Sequence, residues 1–117
     1  MKIQNLERLI TKLKFREKEA GQSPSVIVGY SQSYSIFVHE NLAAHHPVGQ
    51  AKFLEYPARK YRREITDIVV TAIRRGATLA QALLLGGLRL QREAQLLTPV
   101  DTGALKASAF TRLEKVR

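Results

Sequence analysis

The chain has 117 residues, 44% of them hydrophobic and 25% charged, which is the composition of an ordinary soluble domain with a single core. A chain of this length buries about two-thirds of its unfolded surface and needs no disulfide or metal to stay folded. It contains no Cys, which excludes disulfide scaffolds, thiol chemistry and every cysteine-based zinc motif, while its net charge of +9 raises the question of an acidic partner.

Leu6, Leu9, Ile10 and Leu13 recur at spacings of three and four with charges between them, so the pattern predicts an amphipathic helix over residues 4–19. Ala20-Gly21 and Ser23-Pro24 end it. Lys, Arg and Glu interrupt every apolar stretch from Met1 to Glu19, so secretion through a signal peptide is not expected. No Lys or Arg occurs between Ala20 and Ala51. Within that span Val26-Ile27-Val28 and Ser33 to Val38 are rich in β-branched and aromatic residues, predicting two strands joined through Gly29 to Gln32. Alternation would place Tyr34, Ile36 and Val38 on one face, with Tyr34 and Val38 toward the core.

Asn41 to Gln50, with Pro47 and Gly49, reads as a loop. A long helix is predicted from near Pro57, whose ring suits a first turn, to Arg75, with Tyr61, Ile65, Ile68, Val69, Ala72 and Ile73 as its apolar stripe. Gly76 stops it and Thr78 caps a third helix that runs to Leu97 or Thr98 and closes at Pro99. Gly86-Gly87 in its middle costs about 1 kcal/mol per glycine relative to Ala, so the pair marks a kink or a close backbone crossing. The longest near-apolar run, Ala82 to Leu88, is too short to cross a membrane, and no membrane partner is expected. A turn at Asp101 to Lys106 and a last strand at Ala109 to Leu113 complete an α+β domain spanning residues 1–117. Its expected form is a small, mainly antiparallel sheet packed against a long helix, in the order α-β-β-α-α-β.

The basic residues fall in segments 2–19, 52–75 and 89–117, each interleaved with carboxylates as on a solvated helix face, and none reads as set among aromatics that would stack on bases. A basic DNA-binding protein is therefore the competing class rather than the leading one.

Two local patterns invite a catalytic or metal reading. Val100-Asp101-Thr102-Gly103-Ala104 resembles the active-site turn of retroviral-type aspartic proteases, whose dimers share one proton between two carboxylates. Only fourteen residues follow Gly103, too few for a flap, and a Leu-rich helix precedes the motif where a strand should lie. Asp101 or Thr102 capping a turn is the simpler account. His39, Glu40, His45 and His46 hold residue types that bind zinc, but His45 and His46 are adjacent, and on a strand His39 and Glu40 would point to opposite faces. With no Gly-rich phosphate loop and no supported Ser-His-Asp arrangement, neither catalysis nor a cofactor or metal is expected.

Two blocks taken together carry a resemblance. Tyr34-Ser35-Ile36-Phe37-Val38-His39-Glu40, followed by His45-His46-Pro47-Val48-Gly49-Gln50-Ala51-Lys52-Phe53-Leu54-Glu55, forms the first. Thr98-Pro99-Val100-Asp101-Thr102-Gly103-Ala104-Leu105-Lys106-Ala107-Ser108 forms the second. Together they resemble the gene-ten-like minor tail-component family of lambdoid phages, which are head-tail joining proteins, with the two blocks in the reverse of the family's order. The resemblance implies a non-enzymatic virion protein, made in the host cytoplasm and placed at the head-tail junction as a neck, connector, tail-completion or tail-terminator part. Its implied partners are further copies of itself in a closed ring of about six or twelve, portal or adaptor and tail proteins, and DNA passing through the channel without specific recognition. By this reading Phe53 and Leu54 anchor the helix to the sheet, Asn41 to Gln50 makes a ring contact, and Asp101, Thr102 and Gly103 set the turn before the last strand. Lys52, Pro99, Leu105 and Ser108 complete the residues the resemblance singles out.

Overall fold

A computed structural model of the chain describes residues 9–14, 24–32, 34–41, 49–99 and 103–114. Three successive β-branched residues, Val26-Ile27-Val28, pack readily on a pleated surface. They lie in strand β2 (Ser25–Tyr30), all six residues of which are buried. It is the middle strand of an antiparallel sheet, flanked by β1 (Leu9–Lys14) and β3 (Ala109–Glu114). Leu9 stands opposite Tyr30 and Leu13 opposite Val26 on one side, Phe110 opposite Gly29 and Arg112 opposite Ile27 on the other.

The predicted first helix is thus corrected over Leu9–Lys14, which is strand. The physical reason lies in β2: a fully buried strand has main-chain donors and acceptors along both edges that water cannot reach, and β1 supplies partners for one edge. A weak helical periodicity yields to that demand. The predicted second strand is corrected as well, because Ser35–Glu40 is helix α1. Among its described side chains, Ser35 and His39, one helical turn apart, are buried, with Val38 half-buried beside them. Polar residues at buried helix positions weaken the hydropathy signal of a helix, and the alternation of Tyr34, Ile36 and Val38 imitates a strand. Tyr34 does not face the core; it is 43% exposed. Among the described residues the order is therefore β-β followed by five helical segments and β, still an α+β fold with a small antiparallel sheet.

The helical middle of the chain follows its punctuation closely. Pro57 lies in the first turn of α2 (Glu55–Lys60), where its missing N–H is no loss. Tyr61 separates α2 from α3 (Arg62–Arg74), yet the bonds from Tyr61 N to Pro57 O and from Ile65 N to Tyr61 O carry the helical path across. Gly76, at φ 99°, ends α3 in a Schellman arrangement, its amide donating to Ile73 O and that of Ala77 to Ala72 O. Thr78 then opens α4 (Leu79–Leu97) with a full capping box, its hydroxyl accepting from Gln81 N while the Gln81 side chain accepts from Thr78 N.

α4 is the central element, with the sheet on one side and α3 on the other, and it runs unbroken through Gly86-Gly87. The pair serves two close approaches. A Cβ on Gly86 would lie 3.0 Å from Val69 Cγ2 and 3.2 Å from Ile65 Cγ2 of α3. One on Gly87 would lie 2.7 Å from Thr111 Cγ2 and 2.8 Å from Val26 Cγ1 of the sheet. Consecutive helix positions point about 100° apart, so two adjacent glycines thin the helix toward two neighbours at once. Val26, Val28, Tyr30, Phe53, Leu54, Leu83, Leu90 and Ala94 form the core around it, each large apolar side chain contributing about 1.5–3 kcal/mol. No helix among the described residues is long and apolar enough to cross a membrane.

Candidate functional site

Gly49 and Gln50 of the first sequence block meet Thr98 and Pro99 of the second where the C-terminus of α4 approaches the end of β2. The last carbonyls of a helix lack intrahelical donors. At α4 one donor comes from the segment before α2, where Gln50 N donates to Leu97 O at 2.8 Å. That approach brings Gly49, at φ 89°, against the backbone of Leu97, Thr98 and Pro99.

Beneath this contact lies a buried polar and aromatic junction. Phe53 is fully buried, its ring edge-on to Tyr30 and to His39, with centroids 5.0 Å apart in both pairs. Thr98 donates to Ala94 O at 2.7 Å, so its oxygen accepts the Tyr30 hydroxyl proton across 2.6 Å. Burial keeps the Tyr30 phenol protonated far above its ordinary range. Pro99 and Leu54 are buried beside this chain of bonds.

His39 is fully buried, and both ring nitrogens are engaged. Nε2 accepts from the Glu55 amide at 3.1 Å, which fixes the proton on Nδ1, and Nδ1 donates to Glu40 Oε2. Glu40 also accepts from Lys52 Nζ through its other oxygen. Lys52 is held at φ 59°, an uncommon conformation for a side-chain-bearing residue, while its amide donates to His39 O at 2.7 Å. His39 thus joins α1 to the start of α2. Its basic lone pair is spent on a main-chain amide, and the helix lets the neighbouring His39 and Glu40 side chains meet where a strand would part them.

Desolvation by burial holds the His39 pKa below its ordinary value, outweighing the Glu40 carboxylate that raises it. A folded-state value below the unfolded one means that the unfolded chain binds the proton first as pH falls. The stabilisation is complete above the unfolded value near pH 6.5 and declines as the pH drops toward the folded pKa. Glu40, held low chiefly by its hydrogen bond from Lys52, adds a second loss at more acid pH. Denaturant midpoints should therefore fall between about pH 7 and pH 5 in the wild type. In His39→Gln, which keeps an acceptor and a donor, the slope over that interval should flatten; an unchanged slope would assign it to other groups.

Gly103, Leu105 and Ser108 are the further block residues that the structure describes. Gly103, at φ 83°, stands at the N-terminus of α5 (Ala104–Ala107), and Leu105 is buried. Ser108 donates to Leu105 O and accepts from Gln32 N, while its carbonyl accepts from Ser31 N. His45, His46, Asp101, Thr102 and most of the predicted 41–50 loop lie outside the described residues. Among the described residues no group of three or more His, Asp or Glu is gathered as for a metal.

Sequence reasoning missed Tyr30, central to the junction, and gave no role to Thr98, although Thr98 opens the second block just before Pro99. It also missed an aromatic-basic cluster. Lys60 Nζ lies 5.6 Å from the Tyr56 ring centre and 5.3 Å from that of Tyr61, and the Arg89 guanidinium lies 5.3 Å from Tyr61. The expectation that no basic group is set among aromatics is therefore corrected: the run from Tyr56 to Arg63 interleaves them in plain sight.

No protein-family model matches the chain, and neither the curated proteins nor the solved structures include one significantly similar to it.

Proposed function

We propose that this chain is a structural protein of a tailed-phage virion, a ring-forming neck, connector or tail-completion subunit at the head-tail junction that acts by assembly rather than catalysis. The observation that supports this reading is the convergence of the two resembling blocks. Although about fifty residues separate Gly49 from Pro99, the first block caps the helix from which the second emerges, through Gln50 N and Leu97 O. Residues that make up one packed junction form a more specific pattern than two unrelated local motifs.

A ring subunit also needs an outer surface that a neighbouring copy covers. Leu85, Leu88 and Leu96 of α4 are 49%, 52% and 61% exposed. Their spacings of three and eight put them on one side of the helix, and such a stripe on a folded domain favours association. In the proposed ring a second copy of the chain covers it.

The test is electron microscopy of particles made when the gene is inactivated in its parent phage. Filled heads beside detached tails are the expected result for a joining part, and overlong tails would assign it to tail termination. Complementation with Leu85→Ser/Leu88→Ser/Leu96→Ser should fail to restore infectious particles, because the exposed stripe is lost while the core is untouched. Normal infectious virions without the protein would overturn the proposal.

A further inference from the structure

We propose that the solvent side of the α2–α3 corner, formed by Arg59, Lys60, Arg62 and Arg63 with Tyr56 and Tyr61, binds the phosphate backbone of duplex DNA without sequence preference. The inference does not rest on assembly into a ring, and it would stand if that reading fell.

Residues 56–63 hold four cations and no carboxylate. All four cationic side chains are exposed, and Arg59 is 81% so. Its contact with Glu55, at 3.7 Å, is a surface pair of little strength and leaves the guanidinium available. Because the helical path continues through Tyr61, Arg59 and Arg63 stand one turn apart on the same side, about 6 Å along the axis.

The aromatic rings distinguish the kind of polyanion. A single strand binds by stacking its bases on open ring faces. Here Lys60 lies over both tyrosines and Arg89 also lies over Tyr61, so the rings orient cations and are poor stacking platforms. An ammonium held between two rings loses less freedom on meeting a phosphate. A membrane surface fits less well, since an interfacial helix inserts an apolar face. The apolar side of this corner, Pro57, Ala58, Ile65 and Val69, is already buried in the core. What remains outward is four cations and the Tyr56 ring beneath Lys60, a surface dominated by positive charge that suits a regular, hydrated polyanion.

Fluorescence anisotropy with a labelled duplex of about 30 base pairs, in two unrelated sequences, tests this across a salt series. The corner variant is Arg59→Gln/Lys60→Gln/Arg62→Gln/Arg63→Gln. A charge-matched variant, Arg74→Gln/Arg75→Gln/Arg92→Gln/Arg112→Gln, alters four exposed cations elsewhere. Circular dichroism establishes that each is folded. The wild type should bind both sequences equally, and the corner variant should lose at least about tenfold in affinity at 0.1 M salt, with its log-log salt slope shallower by about 3.6. The charge-matched variant should stay within about threefold of wild type. Equal losses in the two variants would reduce the effect to net charge and overturn the inference. So would absence of binding, tighter binding of a single strand than of the duplex, or tighter binding of an RNA duplex.

Discussion

Gly49→Ala is expected to destabilise the fold by about 3 kcal/mol or more, lowering the thermal midpoint by over about 10 °C. Two costs combine. At φ 89° a side chain is strained by about 1–2 kcal/mol, and the new Cβ would lie 2.5 Å from Leu97 O and 2.6 Å from Thr98 C. Those are main-chain atoms near the end of α4, so no rotamer change relieves the contact. To relieve it, Gln50 N must withdraw from Leu97 O, which uncaps the helix. Gly76→Ala provides the comparison, for Gly76 sits at φ 99° and a Cβ there would meet nothing within 4 Å. Both variants bear the conformational cost, and only Gly49→Ala bears the collision. Equal midpoints for the two would show that the Gly49 contact contributes nothing.

Phe53→Ala should cost about 3–5 kcal/mol, because a fully buried ring is removed from between two others. The loss reaches past the cavity. Tyr30 and His39 each place a polar group in low-dielectric surroundings, and both are aligned by packing on Phe53. Phe53→Leu keeps part of the volume and should fall between wild type and Ala. Denaturant unfolding of the three proteins measures the series, and a cost below about 1 kcal/mol for Phe53→Ala would mean that the site collapses around the missing ring.

The candidate site was legible in part. Gly49, His39, Phe53, Leu54, Pro99 and Leu105 belong to the two blocks, and all of them lie at or beside the junction or in the core. What the chain does not announce is how they meet. His39 looks like a metal ligand or a loop residue until its Nε2 is seen accepting the Glu55 amide. Tyr34 looks like a core residue because its neighbours alternate, yet it is exposed, because it stands at the start of a helix on which Ser35 and His39 are buried. The cations at 59–63 were visible as charge, but their relation to Tyr56 and Tyr61 depends on the helix that brings them together.

By itself the sequence determined the elements whose boundaries are local chemistry. Gly76, the Thr78 cap and Pro99 set the ends of α3 and α4, and three β-branched residues made β2. Gly86-Gly87 marked either a kink or a close crossing, and the structure decided for the crossing. These signals act within a few residues, where backbone hydrogen bonds and steric limits decide. Only the tertiary structure decided that Leu9–Lys14 is strand, that Ser35–Glu40 is helix, and that Gln50 caps a helix ending at Leu97. In each case a buried main-chain or polar group needed a partner distant in sequence, and meeting that need outweighed a local preference worth at most about 1 kcal/mol per residue.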